Sequence, residues 1–304
     1  MIKISFKKFI KRNYTGWLFA APLVVGLLVF TVYPVISSLM YSFFDYNMLN
    51  RSLFVGFGNY VTMFTADPEF YKAVGNTLFF SAVNVPLIMA TSYVLAALLN
   101  KQTRGIGAFR VLFYLPCMIP AVAGAILWKD LFDPTLGVFN RILGAVGLGP
   151  YKFFMSDNLG AIGAMLWMNT WGIGGGMILW LAAFKNIPRE LYESADIDGA
   201  RRFRKLISIT LPMSTPMIFF NLVTMIIASL QYNGTLIFAP RNGRGLDDAL
   251  YMYGVKIYTD AFTARARVGY GSALAWVLLL FIALLVGVTF KTNKWVQYGE
   301  GEGN

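Results

Sequence analysis

The chain has 304 residues, of which 57% are hydrophobic, 16% aromatic and only 13% charged. Because soluble domains carry roughly 25% charged residues, this composition excludes an ordinary soluble domain and predicts an all-α membrane protein. The net charge is +11, and the basic residues are scattered between apolar runs, which indicates membrane lipid and not nucleic acid as a partner. The chain has no histidine and one cysteine, Cys117, so it offers no His/Cys metal site and no internal disulfide.

Six stretches are long and apolar enough to cross the hydrocarbon core, which takes about 20 residues of helix. None of them contains Asp, Glu, Lys or Arg; they cover residues 17–44, 73–99, 111–128, 159–184, 213–236 and 270–290. Prolines at Pro34, Pro86 and Pro120 predict kinks within these spans. The sequence therefore predicts a basic N-terminal segment (1–16), a six-span domain (17–290) and a C-terminal tail (291–304).

The distribution of basic residues orients the predicted spans. If both termini lie in the cytoplasm, 16 of the 26 Lys and Arg residues fall on that side. With acids counted as well, the cytoplasmic side carries +10 and the outer side +1. The positive-inside rule favours this orientation, so both termini and the connection 185–212 are expected in the cytoplasm.

The uncharged spans also limit the mechanism. Carriers driven by ion gradients usually place ionisable residues within their spans, so an ion-coupled secondary carrier is disfavoured, although a sodium site of carbonyls and hydroxyls stays open. The chain lacks the G-x-x-x-x-G-K-[ST] loop that binds nucleotide phosphates. Any ATP hydrolysis is therefore expected on another polypeptide.

The connection 185–212 concentrates charge between two uncharged spans. Pro188 and Glu190 suit the first turn of a helix, and Gly199 suits the left-handed residue that ends one. Two faces follow at helical spacing, one basic (Arg201, Arg202, Lys205) and one apolar (Phe203, Leu206, Ile207, Leu211). We expect helix, turn and amphipathic helix, with Phe203, Leu206 and Ile207 packed against the membrane helices; a plain solvated loop is the alternative.

A signature lies within this loop. Glu193-Ser194-Ala195, three residues, Gly199, nine residues and Ile209-Thr210-Leu211-Pro212 resemble the E-A-A-x3-G-x9-I-x-L-P motif of permease subunits of binding-protein-dependent ABC importers. The motif departs only at Ser194. The resemblance implies the six-span type I importer permease fold and a loop that docks into a cleft of a separate ATPase subunit. The implied coupling residues are Glu193, Ser194, Ala195, Asp198, Gly199, Leu211 and Pro212.

Longer matches narrow the resemblance. Residues 167–212, "PTLGVFN" at 134–140 and "GYGSALAWVLLL" at 269–280 are similar to carbohydrate permeases of the maltose and glycerol-phosphate type. "RNGRGLDD" at 241–248 departs from the glycine-rich T-x-GGP segment of that family. The resemblance implies an importer of a sugar or oligosaccharide in a bacterial or archaeal cytoplasmic membrane.

The same resemblance implies the partners of the chain. They are a second homologous permease subunit, two ATPase subunits and an extracytoplasmic solute-binding protein. ATP and Mg would bind to the partner subunits, so this chain is expected to be a transport subunit with no cofactor and no ATPase site. A permease for anions or amino acids is an alternative, and it would be expected to present cations or helix N-termini near the membrane midplane. A membrane scaffold would not need the loop signature.

Uncharged polar residues in the fourth and fifth spans suit a neutral sugar, which is bound by amides, hydroxyls and aromatic faces. By position relative to the loop, six residues match where the maltose-type permease holds its sugar: Asn169, Trp171, Ser229, Gln231, Tyr232 and Asn233. Hydrogen bonding between helices is an equal alternative for each. A glycine run in the fourth span (Gly172, Gly174, Gly175, Gly176) is expected to permit close helix approach.

Overall fold

The computed structural model describes residues 14–48, 52–101, 103–155, 158–263 and 266–296. Most of the predicted basic N-terminal segment (1–13) and the end of the predicted tail (297–304) lie outside these ranges, so their cytoplasmic location stays a prediction. The described residues are mostly helical, and a short antiparallel pair of strands joins β1 (Phe44–Asp45) to β2 (Leu53–Phe54).

The helices follow the apolar stretches of the sequence, with short helical turns between them. They are α1 (Tyr14–Tyr41), α2 (Gly58–Thr65), α3 (Pro68–Leu99), α4 (Ile106–Met118), α5 (Ala121–Leu131), α6 (Val138–Ala145), α7 (Asn158–Trp171), α8 (Gly174–Lys185), α9 (Arg189–Ile197), α10 (Arg202–Met213), α11 (Thr215–Leu230), α12 (Tyr253–Phe262) and α13 (Val268–Lys291). Single turns cover Phe153–Met155, Thr235–Phe238, Pro240–Gly243, Leu246–Asp248 and Asn293–Trp295.

Three of these helices, α1, α3 and α13, are each long and apolar enough to span a membrane. Two bent pairs also qualify when taken together, α4 with α5 at 96° and α10 with α11 at 67°, which raises the count in the described chain to as many as five. The predicted fourth span, 159–184, is not one helix, because the chain breaks between α7 and α8 at Gly172 and Ile173. The six-span count stays a prediction.

Proline accounts for one of the predicted kinks. Ile119, the residue before Pro120, is extended (φ −75°, ψ 128°), because the proline ring disfavours a helical conformation there. The bend between α4 and α5 follows. By contrast, α1 continues past Pro34 through a wider π-helical turn at Leu28–Val32, and α3 continues through Pro86 as one helix.

The chain forms two compact units, and the first comprises the described residues up to Ala66 together with Asp260–Val277. Within it, the Asn59 side chain donates to the carbonyls of Ser42 and Phe44 over 2.9 and 3.0 Å. Gly269 approaches the backbone so closely that a Cβ would lie 2.0 Å from the Phe44 oxygen. No residue of α1 is buried, as expected of an apolar helix that faces lipid or another subunit.

The second unit comprises Asp67–Thr259 and the described residues from Leu278 onward, and α3 contributes to two apolar clusters within it. One cluster surrounds Trp128 and includes Phe80 from α3 and residues of α5 and α7. The other surrounds Trp180 of α8 and includes Ala96 and Leu99 from the end of α3. We call them the Trp128 cluster and the Trp180 cluster.

Candidate functional site

The loop between α8 and α11 begins with a short helix, α9, whose C-terminal end is closed at Gly199. This glycine has φ +71°. The N–H of Ala200 donates to the carbonyl of Ala195 over 2.8 Å, and the N–H of Gly199 donates to that of Asp196 over 3.0 Å. These two bonds form the Schellman motif, which places a left-handed residue, usually glycine, after the helix. The predicted helix end is confirmed, and the A-x3-G spacing of the signature is the spacing of this cap.

Tyr192 and residues late in α10 attach the loop to the membrane helices. The hydroxyl of Tyr192 lies 2.9 Å from Oγ1 of Thr210, and Thr210 is buried. Tyr192, Ile209 and Met213 pack against the Trp180 cluster. Since this cluster contains residues of α3 and α8, the loop is attached to both helices.

The predicted apolar attachment by Phe203, Leu206 and Ile207 is wrong for Phe203 and Ile207. Phe203 is 72% exposed and Ile207 is 48% exposed, and Leu206 is half-buried. The cause is a π-helical turn at Leu206–Thr210, which adds a residue to one turn and rotates the later positions relative to the earlier ones. Thr210 therefore faces the helices in place of the predicted residues.

Charged and apolar side chains of the loop are exposed together. Glu193 is exposed, and its carboxylate has no hydrogen-bond or ion-pair partner among the residues that the structure describes. Ile197 is 88% exposed and Phe203 is 72% exposed. Lys205 and Asp196 form an ion pair across the turn, which joins α10 to α9. Exposed apolar side chains grouped with polar ones are typical of protein contact sites, and we call Glu193, Ile197 and Phe203 the docking surface.

The remaining signature residues fall into two places. Ser194 donates its hydroxyl to the Leu191 carbonyl over 3.1 Å, and Asp198 is exposed at the C-cap of α9. Leu211 and Pro212 lie on α10 after the π-helical turn. Because proline has no N–H to donate, it tolerates this wider turn. The signature is thus divided between a capped helix and the passage into α11.

Two of the predicted substrate-path residues are hydrogen-bonded to α3. Ser229 of α11 is buried and donates to Oγ of Ser81 over 2.9 Å. Asn169 of α7 donates to Oδ1 of Asn84 over 3.4 Å. Ser81 and Asn84 are three residues apart and so share a face of α3. For Ser229 and Asn169 these contacts fit the packing alternative, and a role in the path stays a prediction.

The other four predicted path residues are placed differently. Trp171 and Tyr232 pack against the Trp128 cluster, with the Trp171 ring 5.6 Å from that of Trp128 and the Tyr232 ring 5.3 Å from that of Phe80. Gln231 and Asn233 are exposed just after α11 ends. Their side-chain amides have no hydrogen-bond partner within the described ranges. The structure therefore leaves the two amides exposed on either side of Tyr232 in the sequence, while the Tyr232 ring packs against the Trp128 cluster.

A group of ion pairs in the second unit was not predicted from the sequence. Arg244 contacts Glu69 and Asp248, each over 2.7 Å, and its hydrogen bonds lower the pKa of the Asp248 carboxyl. Lys256, with 1% of its side chain exposed, lies 2.7 Å from Asp67. The four-residue spacing of Arg244 and Asp248 is compatible with one of these pairs, whereas Asp67 and Glu69, at the start of α3, are far from Lys256 and Arg244 in the sequence.

Arg244 joins the segment 241–248, which departs from the family pattern, to Glu69 of α3. Its backbone has positive φ at six positions: Arg241, Asn242, Gly243, Gly245, Asp247 and Asp248. At Gly243 a Cβ would lie 2.9 Å from backbone atoms of Leu236. The segment thus has a positive-φ backbone, which favours glycine, even at positions where the residue is not glycine.

Comparison with known proteins supports the signature. Residues 88–294 match the family described as "Binding-protein-dependent transport system inner membrane component". The chain is 35% identical over 295 residues to "Probable ABC transporter permease protein YesP" of Bacillus subtilis (strain 168), covering 96% of this chain and 94% of that protein. It is 34% identical to "Lactose transport system permease protein LacF" of Rhizobium radiobacter, covering 94% and 96%.

A solved structure shares the fold. A chain of a bacterial alginate ABC transporter, in complex with its alginate pentasaccharide-bound periplasmic protein, superposes with a TM-score of 0.84. The two chains are 25% identical, and the alignment covers 96% of this chain and 98% of the other. The likeness extends over nearly the full length of both chains.

Proposed function

Because the chain belongs to the binding-protein-dependent transport system inner membrane components, as a multi-pass carbohydrate permease of ABC importers, we propose that it couples sugar import to a separate ATPase through residues 189–212. It forms half of the translocation path for a sugar or oligosaccharide. A second homologous permease subunit forms the other half, and a solute-binding protein delivers the substrate from outside. Both termini and the coupling loop face the cytoplasm of a bacterium or archaeon.

One observation supports the coupling role above the others. The docking surface is exposed at a Schellman-capped turn, while Tyr192 and Thr210 of the same loop contact each other beside the Trp180 cluster. A partner that binds Glu193 with an arginine or backbone N–H would gain a charge-assisted hydrogen bond. Its movement would then reach α3 and α8 through Tyr192 and Thr210, and the transporter would change the populations of its inward-open and outward-open states.

The chemistry of ATP belongs to the partners in this proposal. Two ATPase subunits bind ATP and Mg, and this chain contributes no catalytic group and binds no cofactor. Purified without its partners and placed in liposomes, it should neither hydrolyse ATP nor accumulate sugar. ATPase activity that remains after rigorous removal of every associated subunit would contradict the proposal.

The sugar path is proposed at the outer end of α11. Trp171 and Tyr232 supply aromatic faces, and Gln231 and Asn233 supply amides without partners in the described chain. The buried cation Lys256 does not support the alternative of an anion permease, because its charge is already paired with Asp67. No specific observation favours an ion-coupled carrier.

Replacing Gln231 or Asn233 by alanine should lower sugar uptake at limiting concentration by about two- to tenfold, since one hydrogen bond contributes about 0.5–1.5 kcal/mol. Uptake and ATPase activity should be measured in proteoliposomes with the complete importer. Thr224→Ala is the matched control, because the Thr224 hydroxyl donates only to backbone carbonyls of its own helix. Normal uptake by both amide variants would show that Gln231 and Asn233 have a structural role and do not line the sugar path.

A further inference from the structure

An open groove lies between the end of α3 and the start of α10. Its apolar floor comes from Val94, Ala97 and Leu98 of α3. Val94 is 54% exposed and Leu98 is 58% exposed. Since α3 is one of the helices long and apolar enough to span the membrane, we expect this floor to lie beside the acyl chains of the bilayer at the end of the span.

Basic side chains form the rim of the same groove. Lys101 follows the last turn of α3, and Arg202 and Lys205 come from α10. Lys205 is paired with Asp196. Lys101 and Arg202 are exposed and have no ion-pair partner among the described residues. The groove therefore combines an apolar floor at membrane depth with two uncompensated positive charges just beyond the helix end.

We propose that this groove binds one anionic phospholipid of the cytoplasmic leaflet. The phosphate lies between Lys101 and Arg202, and an acyl chain covers Val94 and Leu98. Basic pockets next to membrane helices on the cytoplasmic side suit such headgroups, and each basic residue near an anionic surface strengthens binding about fivefold. The inference rests on the proposed function only in placing the loop in the cytoplasm.

A lipid suits the groove better than a loop of the ATPase does. A soluble protein segment would have to bury Val94 and Leu98, which lie within the last two turns of a membrane-spanning helix. An acyl chain already occupies that depth. The bound lipid would join α3 to α10, which is part of the coupling loop.

The test measures which lipid the full-length chain retains. The protein is extracted from the membrane, incubated with equal amounts of phosphatidylglycerol and phosphatidylcholine, and examined by native mass spectrometry. We expect retention of one phosphatidylglycerol in preference to phosphatidylcholine. The double variant Lys101→Gln/Arg202→Gln should weaken this retention about fivefold for each charge removed. Arg189→Gln/Arg204→Gln is the matched control, with the same charge change in residues outside the groove, and it should retain the lipid.

Three results would overturn the inference. Equal loss from both double variants would indicate general attraction to a basic surface. Displacement of the lipid by excess inorganic phosphate would assign the site to a soluble anion, and displacement by purified ATPase subunits would assign the groove to the protein interface. The measurement of lipid retention itself needs no ATPase, so a chain that retains the lipid but fails to bind the ATPase would contradict the coupling role alone.

Discussion

Replacing Gly199 by valine should abolish ATP-driven sugar uptake by the complete importer. Gly199 has φ +71°, and a Cβ at this position would meet no atom within 4 Å. The cost is therefore conformational: about 1–2 kcal/mol for an ordinary residue in the left-handed region, and more for a β-branched one. The Schellman bonds from Gly199 and Ala200 would be lost, and the docking surface would change shape.

Gly199→Asn is the matched control, because asparagine tolerates the left-handed conformation. Uptake, ATP turnover and co-purification with the ATPase should be measured for both variants. We expect the asparagine variant to retain most of each and the valine variant to lose uptake while staying in the membrane. Glu193→Ala should show a weaker loss. Wild-type values for Gly199→Val in all three measurements would contradict the coupling role and favour the alternative of a plain solvated loop.

Replacing Gly174 by alanine should destabilise the membrane domain itself. A Cβ at Gly174 would lie 2.1 Å from the carbonyl oxygen of Phe113 and 2.8 Å from Cα of Tyr114. Because both contacts are to backbone, α8 would have to move away from α4. We expect a cost at or above the about 1–3 kcal/mol usual for overpacking.

The measurement is the thermal unfolding midpoint of the detergent-solubilised chain. Gly163→Ala serves as the control, since a Cβ there meets nothing within 4 Å and alanine favours a helix over glycine. We expect a lower midpoint or loss of folded protein for Gly174→Ala alone. Equal midpoints for the two variants would show that the close approach of α4 and α8 is not needed.

The sequence predicted those features of the loop that depend on neighbouring residues. Pro188 and Gly199 set the ends of α9 locally, and both helix ends follow from them. The attachment of the loop was predicted from uninterrupted helical spacing, and the π-helical turn at Leu206–Thr210 invalidated that spacing. Only the packing of Ile209 against the Trp180 cluster and the burial of Thr210 show which face is buried.

The membrane spans also combine features that the sequence predicted with features that it did not. The glycine run of the fourth span was predicted to permit close approach, and this is confirmed at Gly174 beside Phe113 and at Gly176 beside Ser92, but not at Gly172 or Gly175. The break after Trp171 was not predicted, since the apolar composition continues across it. The buried pair of Lys256 and Asp67 also could not be predicted, because it joins residues that only the fold brings together.

Site-specific photo-crosslinking from the docking surface tests the central claim most directly. A photoreactive amino acid at Ile197 or Phe203, both exposed, should crosslink to the ATPase subunit in membranes that contain the complete importer. The same amino acid at Val138, which is 50% exposed on α6 and predicted to face outside, should not. The account predicts that the crosslinks from both loop positions disappear with Gly199→Val. Crosslinks to the ATPase from Val138 and none from Ile197 or Phe203 would contradict it.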